Sequence, residues 1–159
     1  MTNRLIIGRT GSGKTHRLQE LIDAHAADPT TTVWAITPTP ELAGADRHTD
    51  PDGAEQLLTE LLAEVDRRHA RGHEHTPTQA EPHIRLIVDR VELVHEQLGD
   101  AKFGHLLHRL AVTGRKAAVD TVLTASTTHL DAWPDGVRQH FDQPERTEIL
   151  PDRRQTDED

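Results

Sequence analysis

The sequence has no cysteine, no tyrosine and few aromatics of any kind, which make up 3% of its 159 residues. Without thiols there are no disulfides and no thiolate-held zinc or iron sites. A core poor in aromatics has to be built from Leu, Ile, Val and Ala. No apolar run approaches the roughly 18 residues that cross a bilayer, and Met1-Thr2-Asn3-Arg4 leads into a short strand-like run without a signal-peptide segment. The expectation is a cytoplasmic chain with no membrane segment. Lysine is also scarce: Lys14, Lys102 and Lys116 stand beside fifteen arginines, and the net charge is −9. That balance argues against a free-standing nucleic-acid binder, which neutralises phosphates with clustered cations.

At this length one domain is expected, over residues 1–150, followed by an acidic, disordered tail over 151–159. Arg4-Leu5-Ile6-Ile7 reads as a buried strand, and Leu18, Leu21 and Ile22 mark a helix that Asp28-Pro29 ends. Residues 32–36 form a second strand, and residues 41–52 read as loop. Leu57, Leu58, Leu61, Leu62 and Val65 make the stripe of a second helix, running to about Arg71. Residues 72–82 are a polar loop, and residues 84–89 a third strand ending in Asp89. A third helix is marked by Phe103, Leu106, Leu107, Leu110 and Ala111, and a fourth strand covers residues 119–125. A short helix over residues 135–141 and a weak strand over 147–150 complete the reading. Alternating strands and helices give an α/β fold with a mainly parallel sheet flanked by helices.

The informative segment is Gly8-Arg9-Thr10-Gly11-Ser12-Gly13-Lys14-Thr15. It satisfies every position of the phosphate-binding pattern Gly-x-x-x-x-Gly-Lys-Ser/Thr, after a strand and before a helix. Glycines let successive N–H groups point inward as an anion nest, and the helix start adds its positive end. Lys14 reaches phosphate oxygens, and the Thr15 hydroxyl is a candidate Mg²⁺ ligand. Asp89, at a strand end, is the candidate carboxylate for the same ion. The residue after it, Arg90, has no acceptor and cannot take a proton from water. Glu92 is the candidate replacement base. The implied ligands are ATP and Mg²⁺; the sequence carries the parts for binding and leaves hydrolysis open.

The order of segments resembles the motor domain of FtsK/SpoIIIE DNA translocases and their TraB-type plasmid-transfer relatives. The loop looks like that family's Gly-x-Thr-Gly-Ser-Gly-Lys-Ser/Thr. Ile36-Thr37-Pro38-Thr39-Pro40-Glu41-Leu42 is similar to its second-strand motif. Asp50-Pro51 and Val65-Asp66-Arg67-Arg68 resemble the stretch leading to its Glu-Arg-Arg-Tyr segment. Arg109-Leu110-Ala111, Gly114-Arg115-Lys116-Ala117-Ala118 and Val122-Leu123-Thr124-Ala125 resemble its later elements, so the similarity runs over about residues 4–131. It implies a RecA-like, additional-strand P-loop NTPase fold, ATP with Mg²⁺, and assembly as a ring on double-stranded DNA or with a partner protein. It also makes Arg115, and less directly Arg109, candidates for an interface or arginine-finger role. The sequence departs from the family at Arg90, where the pattern has Glu, and at Ser126-Thr127, where it has Gln-Arg. The implied function is an ATP-binding domain linked to DNA transfer or translocation. The alternative is a non-catalytic nucleotide-binding module that regulates or binds a partner.

Twelve histidines raise a metal reading, above all His69, His73 and His75. Solvated side chains in a polar loop are the expectation for them. His105 and His108 are assigned to the polar side of the third helix, and Trp34 to packing. Arg67, Arg68 and Arg71 read as a helix end complementing its own dipole.

Overall fold

A computed structural model describes residues 3–9, 11–39, 42–126, 133–134 and 137–151. One sheet of six strands organises them: β1 (Arg4–Ile7), β2 (Thr31–Ile36), β3 (Arg47–Thr49), β4 (His83–Val88), β5 (Val119–Ala125) and β6 (Thr147–Ile149). Their order is β3-β2-β4-β5-β1-β6, and every pairing is parallel. Strand β5 lies between the strand that leads into the Gly-rich loop and the strand that ends at Asp89. That inserted strand is the additional-strand arrangement the sequence resemblance implied.

A parallel sheet is covered on both faces, so its central strands are apolar on both sides. Strand alternation divides the core accordingly. Leu5, Ile7, Leu86, Val88 and Leu123 face α2 (Ala54–His69), α3 (Val91–Leu98) and α4 (Asp100–Thr113). Ile6, Val33, Ala35, Ile87 and Val122 face α1 (Lys14–His25). Leu58 and Leu61 are wholly buried on α2, and truncating such a leucine to alanine costs about 2–5 kcal/mol.

Several sequence expectations change. Residues 41–52 are not all loop, because Arg47–Thr49 pairs along β2 as a short edge strand. The helix α3 is absent from the sequence reading; only Asp89 and Arg90 separate it from β4. The expected helix over 135–141 is a 3₁₀ turn at Arg138–His140, with residues 135–136 outside the described residues, as are 152–159 of the tail. Arg68 is no solvated dipole partner: it is 3% exposed. It donates to the Glu64 carboxylate at 2.8 Å and to the carbonyls of Ala117 and Pro82 at 2.8 and 2.9 Å. A guanidinium spreads donors over a planar fork, so one side chain ties α2 to the entries of β5 and β4.

A second buried polar group lies under the end of α1. Asp120 accepts from Arg85 at 2.6 and 3.1 Å and meets His83 Nε2 at 2.8 Å, and Arg85 also donates to His25. Burial pushes the Asp120 carboxyl up, but the bonds from His83 and Arg85 outweigh it and hold it below the ordinary value. No helix among the described residues is long and apolar enough to cross a membrane.

Candidate functional site: a phosphate cradle facing a caged carboxylate

In a parallel α/β sheet, ligands bind beyond the carboxyl ends of the strands. The loop leaves β1 at that edge. Gly8 donates its N–H to the Ala125 carbonyl at 3.1 Å, and a Cβ there would sit 2.2 Å from Ser12 Oγ and 3.1 Å from Ser12 Cβ, so a side chain at this position would push Ser12 out of the turn. Gly13 caps α1 with φ of 96° and no side-chain hydrogen bond, a left-handed conformation costly for residues with a Cβ. The first helical bond is from Arg17 N–H to the Gly13 carbonyl, 2.9 Å. The amides of the first turn therefore point out of the helix end toward the cleft, as anion donors do. Thr10 lies outside the described residues.

Lys14 Nζ donates to the carbonyls of Gly8 at 2.6 Å and Arg9 at 3.0 Å. The ammonium is held on its own loop, where phosphate oxygens would replace the two carbonyls. Burial lowers its pKa; the carboxylates of Glu92 and Asp89 act in the opposite direction, and Arg90 adds to the lowering.

Asp89 is fully buried and held by three hydroxyls. Its Oδ2 accepts from Thr15 at 3.2 Å and Thr37 at 3.1 Å, and its Oδ1 from Thr124 at 2.9 Å. Register explains the cage. Ile36 pairs with Val88, and Val88 with Leu123, so Thr37, Asp89 and Thr124 form one row across three adjacent strands. Thr37 and Thr124 were not anticipated as site residues. Their signal is a shared register row, one residue on from the paired Ile36, Val88 and Leu123, visible only once the strand order is known.

The cleft between loop and cage measures about 360 Å³, and Lys14, Thr15, Asp89, Arg90, Glu92 and Ser126 all line it. That lies within the roughly 300–1,000 Å³ of small-molecule sites. Arg90 caps α3 with φ of 60° and ψ of 68°, its N–H held by Thr124 Oγ1 at 2.8 Å. This left-handed turn sends the chain straight from β4 into α3 and brings Glu92, on the first helical turn, to the cleft. Glu92 Oε2 is shut off from solvent and has no hydrogen-bond partner among the described residues.

The donor set fits Mg²⁺ arriving with a nucleotide. Such an ion keeps waters and phosphate oxygens and needs only one or two protein ligands, here the adjacent Thr15 hydroxyl and Asp89 carboxylate. Elsewhere, no group of three or more His, Asp or Glu side chains suited to a metal occurs among the described residues. His75 departs from the solvated expectation: it is 6% exposed, with Nε2 on the Glu81 carbonyl at 2.9 Å. His105 and His108 are exposed. Arg109 pairs with Asp66 at 2.7 Å. Arg115 is exposed in the 3₁₀ turn that leads into β5, at the opposite end of the strands from the cleft. A larger groove of about 550 Å³ lies beside Trp34 and α2. Arg47, Arg67 and Arg68 there are paired with Glu60, Glu64 and Glu81, and it has no glycine cradle.

No protein-family profile and no curated protein matches the sequence, but solved structures share its fold. The cytoplasmic domain of EssC superposes with a TM-score of 0.75 at 15% identity, covering 98% of this chain and 34% of that one. Thermomonospora curvata EccC (ATPases 2 and 3), in complex with a signal sequence peptide, gives 0.66 at 16% identity, covering 86% and 27%. EssC (ATPases 2 and 3) from Geobacillus thermodenitrificans gives 0.64 at 17% identity, covering 79% and 28%. The fold is that of a P-loop ATPase domain. The chain spans about a quarter to a third of the length of these three proteins, and at such identities the likeness is one of fold.

Proposed function

We propose that this chain is a Mg²⁺–ATP-binding P-loop ATPase domain that serves a larger macromolecule-translocating assembly. The observation that carries the reading is the Thr15 hydroxyl lying 3.2 Å from Asp89 Oδ2 directly under an uncapped, glycine-lined helix start. The loop amides and the Lys14 ammonium would hold the β- and γ-phosphates, and the Thr15 hydroxyl would ligate the metal. Asp89, aligned by Thr37 and Thr124, would be the carboxylate ligand of the same ion. Mg²⁺ held by Thr15 and Asp89 would supply positive charge to offset the negative charge that develops on the phosphates.

The resemblance to FtsK/SpoIIIE motifs points to duplex DNA as cargo or partner, and the fold neighbours point to protein secretion. A net charge of −9 favours the second, because a polyanion is repelled by an acidic chain. EccC was solved with a signal sequence peptide, so a polypeptide is the cargo class we favour. Arg115, at the far end of β5, would meet only a neighbouring subunit's nucleotide within such an assembly.

Calorimetric titration of ATP–Mg²⁺ into the native chain and Lys14→Ala tests the core of this reading. Binding by the native chain and loss of at least about tenfold in affinity for the variant are expected from removing a charged hydrogen bond of about 1.5–3 kcal/mol. Equal affinities, or no binding by the native chain, would sink it.

A further inference from the structure

Glu92 Oε2 is the anomaly of the cleft. A buried carboxylate oxygen without a partner is destabilising, and such groups in native structures call for an explanation. Among the described residues, the fully buried carboxylates are engaged: Asp89 by three hydroxyls and Asp120 by Arg85 and His83. Glu92 lines the cleft, and its Oε2 has no hydrogen-bond partner among the described residues. Lys14 does not hydrogen-bond to it; two of the lysine's N–H groups go to the Gly8 and Arg9 carbonyls. Asp89 has the Thr15 hydroxyl in contact, so the metal-side position is taken. A carboxylate at the wall of a polar cleft with an unsatisfied oxygen is a group that a water brought in with the nucleotide would satisfy.

We propose that Glu92 is the catalytic base of this site, standing two residues beyond the position where the resembled motif carries its glutamate. The left-handed turn at Arg90 makes the displacement work. It starts α3 so early that the first-turn side chain returns to the cleft, while Arg90 itself cannot accept a proton. In the reaction, a water oxygen bonds to the γ-phosphorus and the bond from that phosphorus to the β–γ bridging oxygen breaks. The electron pair leaves with ADP, and the water's proton passes to the Glu92 carboxylate, giving ADP and inorganic phosphate. Arg90, which lines the same cleft, is a second cation beside Lys14 on the phosphate side.

This inference rests on the nucleotide-binding reading above, and the 159-residue chain with Glu92→Gln separates the two. Affinity for ATP–Mg²⁺ by calorimetry, phosphate release over a range of protein concentrations, and the melting temperature without nucleotide are measured side by side. The variant is expected to bind ATP within about threefold of the native chain while phosphate release falls at least about 100-fold, the low end for a general base. Its nucleotide-free melting temperature is expected to rise, because a neutral amide costs less to bury unpaired than a carboxylate. Glu92→Asp, which keeps the charge on a shorter arm, should retain more turnover than Glu92→Gln. Unchanged phosphate release in Glu92→Gln overturns the assignment. So does a native chain that binds ATP and never releases phosphate, or a variant that loses affinity and melting temperature together. A native chain that binds no ATP removes the nucleotide reading itself, and the base with it.

Discussion

Thr124 Oγ1 stands 2.9 Å from Asp89 Oδ1 and accepts the Arg90 N–H at 2.8 Å, so one hydroxyl fixes both the carboxylate and the turn after it. Thr124→Val keeps the shape and removes the hydroxyl, leaving a fully buried carboxylate oxygen and the Arg90 amide without that partner. Loss of a hydrogen bond to a charged group costs about 1.5–3 kcal/mol. Urea denaturation should show a drop of that size. Affinity for ATP–Mg²⁺ should fall with it, since the carboxylate is no longer aligned. An unchanged urea midpoint would mean that Asp89 is held by Thr15 and Thr37 alone.

Arg68 makes a separate prediction on the other face of the sheet. Arg68→Met keeps the aliphatic stem and strands the Ala117 and Pro82 carbonyls. We expect a loss of about 3 kcal/mol, with nucleotide affinity little changed because the cleft is at the far end of the strands. Arg68→Lys should recover only part of it, as a single ammonium cannot reach three acceptors set in a planar fork. Denaturant titration of the two variants checks the order native, Lys, Met.

What the sequence made legible and what it hid follow from the range of the interactions. The phosphate loop was readable because its chemistry lies in eight contiguous residues between a strand and a helix. Asp89 followed from the apolar run before it, and the parallel sheet from the alternation of elements. The short strand Arg47–Thr49 was hidden because it joins the sheet through backbone pairing and buries no apolar side chain. Helix α3 was hidden because an arginine, and no Gly, Pro or Asn, makes the turn that starts it. Its stripe of Val91, Val94 and Leu98 does carry helical spacing, so the signal existed without its usual punctuation. Thr37 and Thr124 are 52 and 35 residues from Asp89, and only strand order brings them into one row. Arg68 looked like its neighbours Arg67 and Arg71; which of three adjacent arginines turns inward depends on helix rotation against the sheet.

The last prediction concerns pH. His25 sits over the buried Arg85–Asp120 pair, and its ring nitrogen takes a hydrogen bond from Arg85, which requires the neutral imidazole. Burial first, and then the Arg85 charge, hold its pKa below the ordinary 6.5. Below about pH 6.5 the unfolded chain therefore takes up a proton that the native chain refuses. By linkage, stability is greatest above that pH. It falls as pH drops from 6.5 toward the lowered native value and levels off once native His25 is protonated too. His140, lowered by burial and by His108, adds to the same window with the same sign. Asp120 acts lower down, since a carboxyl held below its ordinary 3.8 contributes stability that is lost only in stronger acid. Urea midpoints at pH 7.5 and 5.5 should thus differ in the native chain, with the lower midpoint at pH 5.5. His25→Gln, which keeps an acceptor but does not titrate, should narrow the difference and leave the part due to His140. A native chain equally stable at both pH values would show that Arg85 does not hold His25 neutral.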